Sequence, residues 1–313
     1  MSEAPYLGID IGGTACRWVL CDAAGDEIAR GATGGATGHV FNPIERERLQ
    51  AALTVIAEQA RPHAATIAAL AVGMTGFGST VADEVKALLA ATFGVATERL
   101  IVIDDITLAF AAVFEPGEGH LVSAGTGSIG LHLGDDGRYV RVGGRGILVD
   151  DAGSGSWIAL RAVDQMFRSL DRTGSFDQVA PLAREIFAVT GGDDWHAVRQ
   201  FIYGSDRGRI GTLATAVAAA ARQDDATALA IIEDAGRELA GLAKALVARA
   251  GEKPVGFIGG VLALHPAVTE AIAAELAGAD LRFPSADAAL AAARLPLPAG
   301  AGWRATFDTI RVQ

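Results

Sequence analysis

The feature that most constrains the fold is an order of short strands and glycine turns that begins near the N-terminus. Residues 7–11 form an apolar segment typical of a buried strand, and Gly12-Gly13-Thr14 follows at once. Apolar residues resume at 18–20, so the two glycines predict a tight hairpin turn between strands. A polar turn at 21–26 and a further segment at 27–33 complete a predicted three-stranded antiparallel meander.

The same order returns in the second half of the chain. Residues 121–124 resemble a strand, Gly125-Thr126-Gly127-Ser128 a glycine turn, and residues 129–133 the answering strand. A polar hairpin at 135–137 and a strand at 139–142 follow. This weak internal repeat predicts two related domains, each with one glycine turn. Residues 115–119 carry Pro and Gly and are the best boundary, so we expect domains at 1–116 and 117–313.

The remaining segments alternate between predicted helices and strands. In chain order we expect a helix from Pro43 to about residue 61, a strand at 67–73, a helix at 81–93, a strand at 100–103 with a short helix after it, a helix-rich region at about 154–250, and a strand at 254–260. The chain from Pro296 carries Pro and Gly and is expected to be an irregular tail.

Glycine turns after buried strands indicate phosphate binding, because uncovered backbone N–H groups form an anion site. Asp10 precedes the first turn, and a carboxylate beside a phosphate favours a bridging Mg²⁺. A third pair, Gly259-Gly260, would let a flat nucleotide base approach the backbone closely. Each turn considered singly is equally consistent with a tight turn and no ligand. Three of them after apolar strands together predict nucleotide binding.

Composition excludes several classes of function. The net charge of −11 and the lack of dense Lys/Arg clusters argue against a nucleic-acid partner. Apolar stretches are too short and Ala-rich to cross a membrane, and no secretory signal is recognisable, so we expect a cytoplasmic protein. Cys16 and Cys21 lie in one predicted strand at odd separation, so they should face opposite sides and form no disulfide.

Three motifs carry a resemblance to a known superfamily. Residues 10–14, 123–128 and 256–261 resemble the two phosphate motifs and the adenosine motif of the sugar kinase, heat-shock protein and actin superfamily. Residues 143–159, which read GGRGILVDDAGSGSWIA, are similar to a signature of N-acetylglucosamine kinases and their bacterial relatives. That group includes the BadF/BadG/BcrA/BcrD ATPases. The likeness extends from about Tyr6 to Leu295.

The resemblance implies an α/β fold of two ribonuclease-H-like domains of the actin-like ATPase type, with the active site in the cleft between them. The second domain would be the larger, with the helix-rich insert at about 154–250. The implied activity is transfer of the ATP γ-phosphate, with Mg²⁺, to a hydroxyl of an amino sugar of the N-acetylglucosamine, glucosamine or N-acetylmuramic acid type. Relatives also suggest a homodimer.

The resemblance further implies roles for individual residues. The ATP-binding residues would be Gly12, Gly13, Thr14, Gly125, Thr126, Gly127, Gly259 and Gly260. Asp10 would hold the metal. Asp105 matches the catalytic base, which takes the proton of the sugar hydroxyl as the bond to phosphorus forms. Two alternatives remain open: Asp105 only caps the following helix, or Asp104 is the base.

The implied sugar-binding residues are Asp105, Asp151, Gly144, Arg145 and His39. Arg145 stands where relatives have Trp, and it either binds an anionic substituent or forms a surface ion pair with Asp150.

Two further positions depart from the family pattern. Thr37-Gly38-His39 lacks the Asn that precedes His in relatives of known substrate, and Asn42 is a candidate to replace that amide. Asp287 stands where Gly is usual. These differences leave the identity of the sugar open.

Two rival functions follow from the same fold. An activase-type ATPase would need cysteines that hold an iron–sulfur cluster, and Cys16 and Cys21 lie in the first hairpin instead. A sugar or nucleotide sensor would keep the fold without turnover. ADP production across a panel of sugars separates these functions.

Overall fold

The computed structural model describes residues 4–309 and 311–312 and divides the chain into two compact units. Unit 1 contains the chain up to Gly119, the segment Leu133–Tyr139 and the chain from Ser285 onward. Unit 2 contains His120–His132 and Val140–Pro284. The first division lies close to the predicted boundary at residues 116 and 117. The predicted domain 117–313 differs from unit 2, because a hairpin and the C-terminal segment group with unit 1.

The first sheet has five strands in the order β3-β2-β1-β4-β5. They are β1 Tyr6–Ile11, β2 Ala15–Cys21, β3 Glu27–Gly34, β4 Ala69–Met74 and β5 Leu100–Asp104. Strands β1, β2 and β3 form the predicted antiparallel meander, and β1, β4 and β5 run parallel. The carboxyl ends of β1, β4 and β5 therefore meet at one edge of the sheet, where ligands bind in open α/β sheets.

The second sheet repeats this order. Its strands are β6 His120–Ala124, β7 Ser128–Leu133, β8 Arg138–Gly143, β9 Val255–Ile258, β10 Leu281–Arg282 and β11 Arg311–Val312. The sheet order is β10-β9-β6-β7-β8-β11, with β6 antiparallel to β7 and parallel to β9. In the second sheet, the order β8-β7-β6-β9-β10 corresponds to the order β3-β2-β1-β4-β5 of the first sheet. This correspondence confirms the predicted internal repeat.

Twelve helices are present in the described chain. They are α1 Pro43–Ala60, α2 Ala82–Phe93, α3 Asp105–Ala111, α4 Gly155–Thr173, α5 Ala180–Thr190, α6 Trp195–Gly204, α7 Arg207–Gly211, α8 Leu213–Ala221, α9 Ala226–Ala250, α10 Pro266–Glu275, α11 Ala288–Arg294 and α12 Ala301–Thr309. None of them, over the residues that the structure describes, is long and apolar enough to cross a membrane. Helices α4 to α9 confirm the helix-rich region predicted at about 154–250.

The two faces of the first sheet are covered by different elements. Cys16 belongs to the core formed with residues of α1 and α2, such as Leu49 and Leu89. Cys21 belongs to a second cluster with Ala293 of α11, whose backbone carbonyl accepts a hydrogen bond from its Sγ at 3.3 Å. Both thiols are buried and free, so the prediction of opposite faces and no disulfide is confirmed.

A glycine in β1 explains why the C-terminal segment joins unit 1. A Cβ on Gly8 would lie 2.1 Å from the backbone N of Ala293 and 2.2 Å from the carbonyl O of Ala289. Only a residue without a side chain lets α11 lie this close to the strand. The prediction of an irregular tail from Pro296 is wrong, because α12 forms there and Trp303 is buried against Phe110. The Pro and Gly content of this segment did not predict α12 or its contact with Phe110.

Candidate functional site

Asp10 is a half-buried carboxylate near the carboxyl end of β1. Its neighbours in register are Gly73 on β4 and Arg17 on β2. The Arg17 Nη1 lies 4.0 Å from Oδ2, and 64% of the Arg17 side chain is exposed. Burial and the charge of Asp105 raise the pKa of Asp10 to about 6, against the lowering effect of Arg17. The negative charge at this edge is therefore only partly compensated.

Asp105, the first residue of α3, has both carboxylate oxygens in hydrogen bonds. The Thr75 hydroxyl donates to Oδ2 at 2.5 Å, and the Ile106 backbone N–H donates to Oδ1 at 3.0 Å. Thr75 directly follows β4, so the parallel strands bring it to Asp105. Burial raises the pKa of Asp105, the Thr75 hydrogen bond lowers it, and the Asp104 charge raises it. The result is a desolvated acceptor held in one orientation.

The neighbouring Asp104 has a different role. It is the N-cap of α3, and its Oδ1 accepts from the Thr107 backbone N–H at 2.7 Å. Its Oδ2 accepts from the Tyr139 hydroxyl at 3.0 Å. The alternative that Asp105 caps this helix is therefore wrong, because Asp104 does so. Both oxygens of Asp104 serve structural hydrogen bonds.

The first glycine turn leaves backbone uncovered. Gly12 N–H donates to the Ala15 carbonyl at 3.1 Å, whereas a Cβ on Gly13 would meet nothing within 4 Å. Thr14 is exposed. The turn is thus compatible with the predicted phosphate contact, and it lies at the same sheet edge as Asp10.

The loop that carries His39 lies against the turn after β4. Gly38 N–H donates to the Thr75 carbonyl at 2.8 Å, and a Cβ on Gly76 would be 2.4 Å from the His39 Nε2. The fold therefore brings His39 to the turn that contains Thr75, whose hydroxyl donates to Asp105. Asn42, the candidate replacement amide, instead caps α1, because its Oδ1 accepts from Ile44 N–H at 3.0 Å.

In unit 2, the start of α4 anchors the second glycine turn. Gly155 N–H donates to the Gly125 carbonyl at 2.9 Å. Ser156 donates to the Thr126 carbonyl through its N–H at 3.2 Å and its hydroxyl at 2.8 Å. The Ser154 hydroxyl caps the helix by accepting from Trp157 N–H. The N-terminus of this 19-residue helix, a favourable place for an anion, is thus joined to the turn.

Asp151 is the most unusual residue of unit 2. It is only 2% exposed, its φ of 61° is left-handed, and no described residue hydrogen-bonds its Oδ2. A Cβ on Gly127 would lie 3.0 Å from that oxygen, so the carboxylate lies against the second glycine turn. Burial raises the pKa of Asp151, and the Arg207 charge lowers it. Strain together with an unsatisfied buried oxygen is typical of a ligand site.

Arg145, in the segment before Asp151, has two predicted roles: binding an anionic substituent or pairing with Asp150. Arg145 Nη1 lies 3.3 Å from Asp150 Oδ2, and 66% of the Arg145 side chain is exposed. The surface ion pair is therefore the arrangement that the structure contains. Gly144 has a φ of 67°, and a Cβ there would lie 2.9 Å from Ile129 Cδ1.

The two residues of the third glycine pair have different surroundings. Gly259 has a φ of 110°, and a Cβ there would lie 2.2 Å from the Ala124 carbonyl O. Close packing on β6 thus explains this glycine without a ligand. A Cβ on Gly260 would meet nothing within 4 Å, and the residue is exposed. Of the two, Gly260 is the residue with open space where a Cβ would lie, as the predicted contact with a base requires.

Sequence reasoning missed Thr75 and Tyr139 as partners of the two acidic residues, and it left Asp287 unexplained. Thr75 could have been found from the rule that parallel strands end at one edge, whereas Tyr139 has no local signal. Asp287 caps α11 by accepting from Leu290 N–H at 3.0 Å and pairs with Arg30 at 2.9 Å. This departure from the family pattern thus has a structural cause.

The acidic residues at the edge of unit 1 fit a hydrated cation better than a protein cage. The described part of the chain contains no group of three or more His, Cys, Asp or Glu side chains that could hold a metal ion. Mg²⁺ typically keeps several waters and needs one or two carboxylates beside phosphate oxygens. Asp10, whose charge Arg17 compensates only in part, meets that requirement.

Two curated relatives match part of the chain. An N-acetylmuramic acid/N-acetylglucosamine kinase of Clostridium acetobutylicum is 30% identical over 151 residues, which are 48% of each chain. A glucosamine kinase of Vibrio cholerae is 29% identical over 53% of this chain and 55% of its own. Each match thus spans about half the length of the curated relative.

Solved structures match over more of the chain. A protein of Chromobacterium violaceum, provisionally named as an N-acetylglucosamine kinase, has a TM-score of 0.75 at 28% identity, covering 94% of this chain and 99% of its own. A ROK family glucokinase of Streptomyces griseus, solved with glucose and AMPPNP, shares the fold with a TM-score of 0.53 at 17% identity, covering 92% and 97%. The sequence model of one family matches residues 7–293, and the chain therefore belongs to the BadF/BadG/BcrA/BcrD ATPase family.

Proposed function

We propose that this chain is an ATP-dependent kinase that phosphorylates a hydroxyl of an amino sugar of the N-acetylglucosamine, glucosamine or N-acetylmuramic acid type. The observation that carries the proposal is Asp105, a desolvated carboxylate held by two donors at the carboxyl ends of parallel strands. The names of the partial relatives support the substrate class.

Asp105 acts as the general base. The sugar hydroxyl donates its hydrogen to the carboxylate, and its oxygen forms a bond to the γ-phosphorus of ATP. The bond from that phosphorus to the bridging oxygen breaks, ADP leaves with the electron pair, and the proton passes to Asp105. A raised pKa suits this step, because a carboxylate of ordinary pKa accepts a proton poorly near neutrality.

Asp10 is the residue that would hold Mg²⁺, directly or through water. When bound, the cation would neutralise charge on the phosphate oxygens. Asp10 itself would lose its unfavourable interaction with Asp105, since the cation would compensate both charges.

The remaining predicted residues take binding roles in this proposal. The backbone of the glycine turns at Gly12, Gly13, Thr14, Gly125, Thr126, Gly127, Gly259 and Gly260 binds ATP. The free Oδ2 of Asp151 accepts a hydroxyl of the sugar, with Gly144 and His39 as further contacts. Arg145 is the weakest member of the set, because Asp150 already pairs with it.

The test is ADP release across N-acetylglucosamine, glucosamine, N-acetylmuramic acid, glucose and sugar acids. We expect turnover on at least one amino sugar. In Asp105→Asn, kcat should fall by about 10³-fold, as expected for loss of a general base, while ADP binding measured by calorimetry changes less than about twofold. Asp26→Asn, in the exposed hairpin of the same sheet, is the control and should keep normal turnover. Normal turnover by Asp105→Asn would refute the assignment of the base.

The rival functions give different results in the same assay. Sugar binding without ADP release on any sugar would favour a sensor. An activase is disfavoured because Cys16 and Cys21 are buried on opposite faces of one sheet and cannot share a cluster in that arrangement. Absorption by an iron–sulfur cluster in the purified protein would reverse that judgement.

We further propose a homodimer that acts in the cytoplasm. The two free buried thiols are consistent with a reducing compartment. Light scattering on the purified protein measures the oligomeric state directly, and a monomeric mass would reject the dimer.

A further inference from the structure

Tyr139 links a distant hairpin to the start of α3. It is the last residue of the segment Leu133–Tyr139, which groups with unit 1, and it is 5% exposed. Its hydroxyl donates to Asp104 Oδ2 at 3.0 Å. Asp104 is the last residue of β5 and the N-cap of α3, so this bond reaches the residue directly before the proposed base.

The hydrogen bond from Tyr139 to Asp104 is important because helix α3 is short. Helix α3 has only seven residues, and a helix of that length has little stability of its own in water. Its first turn is held by the Asp104 side chain, through Oδ1 to Thr107 N–H and through Oδ2 to Tyr139. Asp105 begins that turn, so movement of Asp104 moves the base as well. A misplacement of about 1 Å can cost about 10²-fold in rate.

The same bond acts on the charge beside Asp105. The Asp104 carboxylate raises the pKa of Asp105, and a phenol donor compensates part of the Asp104 charge. Without that donor, the Asp104 charge is less compensated and acts more strongly on Asp105, whose pKa rises further.

We propose that Tyr139 is a positioning residue of the transfer reaction, which fixes Asp104 and through it the orientation and charge state of Asp105. The proposal rests on the kinase function proposed above. It concerns a residue that contacts neither ATP nor sugar in that scheme.

The test is Tyr139→Phe in the full chain, with Tyr203→Phe as the matched control. Tyr203 lies in α6 and is 80% exposed, so its hydroxyl should be dispensable. We expect kcat of Tyr139→Phe to fall by about 10-fold, in line with a lost hydrogen bond to a charged group, with KM for sugar and ATP within about twofold. The acidic limb of the pH–kcat profile should move to higher pH. Tyr203→Phe should match the wild type in every measurement.

A second variant separates positioning from stability. Asp104→Asn keeps an oxygen for the helix cap and removes the charge, so its acidic limb should move to lower pH, opposite to Tyr139→Phe. If Tyr139→Phe lowers only the melting temperature and leaves kcat and the pH profile unchanged, the proposal is wrong. Should Tyr139→Phe not fold, an unchanged pH profile in Asp104→Asn overturns the proposal by itself. A wild type without kinase activity on any sugar would instead reject the proposed function.

Discussion

Asp105 of unit 1, which is partly buried, and Asp151 of unit 2, which is fully buried, are both carboxylates whose pKa is raised chiefly by desolvation. Their surroundings differ. Both oxygens of Asp105 accept hydrogen bonds from Thr75 and Ile106, and Asp105 has an ordinary helical position. Asp151 has a left-handed backbone, and its Oδ2 finds no donor in the described chain.

These different hydrogen-bond partners suit the two carboxylates to different functions. Fixed donors hold Asp105 in one orientation, which suits proton transfer in a defined direction. The free oxygen of Asp151 suits a hydroxyl donor that arrives with a ligand, because desolvation without a partner is costly until the ligand binds. The direction of the pKa shift alone would not distinguish these residues. The hydrogen-bond partners do.

After the loss of turnover expected for Asp105→Asn, the largest expected effect is a change in sugar KM that tests this distinction. In Asp151→Asn the sugar KM should rise by about 10- to 100-fold, the cost of weakening a hydrogen bond to a charged acceptor, while kcat stays within about threefold. Asn tolerates the left-handed backbone, so the fold is kept. Initial rates against sugar concentration give both constants. Asp150→Asn, which removes the ion pair with the exposed Arg145 side chain, is the control. A collapse of kcat in Asp151→Asn, as expected for Asp105→Asn, would make the two carboxylates equivalent.

The next effect concerns Asp10, a third carboxylate with a raised pKa. Burial shifts the pKa of Asp10 from 3.8 to about 6 in the folded state, so the folded protein binds more protons than the unfolded chain between these values. Stability therefore falls as pH rises through this window and stays lower above it. Without Mg²⁺, Asp10→Asn should be more stable than the wild type by about 2 kcal/mol at pH 7.5 and by much less at pH 4.

Thermal melting of both proteins at the two pH values measures that difference. Mg²⁺ with ADP should reduce the advantage of the variant at pH 7.5, because the ligands stabilise the wild type through Asp10. Equal differences at pH 4 and pH 7.5 would contradict a raised pKa for Asp10.

The smallest effect isolates the backbone strain at Asp151. Asp151→Gly should exceed Asp151→Ala in stability by about 1 kcal/mol, because only glycine adopts a positive φ without cost. Asp224, with a φ of 60° in an exposed turn, provides the matched pair Asp224→Gly and Asp224→Ala. The Gly–Ala difference should be similar at both positions. A Gly–Ala difference at Asp151 far below the difference at Asp224 would contradict backbone strain at Asp151.

Much of the fold could be predicted because its signals are local. Apolar runs ending in glycine turns predicted the meander of each sheet, and Pro43 predicted the start of α1. The spacing of such signals is a few residues, the range over which turn and cap chemistry acts. The candidate residues Asp10, Asp105 and Asp151 were also identified by motif, because each lies in or beside a recognisable strand or glycine segment.

The tertiary structure alone decided which partners those residues have. It assigned the cap to Asp104 and left Asp105 with Thr75, it left Asp151 with an unpaired oxygen, and it paired Arg145 with Asp150. It also packed α11, which lies late in the chain, against Gly8 of β1, which lies near its start. Sequence motifs determined which side chains are available, because local order is encoded over a few residues. Packing between distant segments determined what each side chain touches, and no local pattern contains that information.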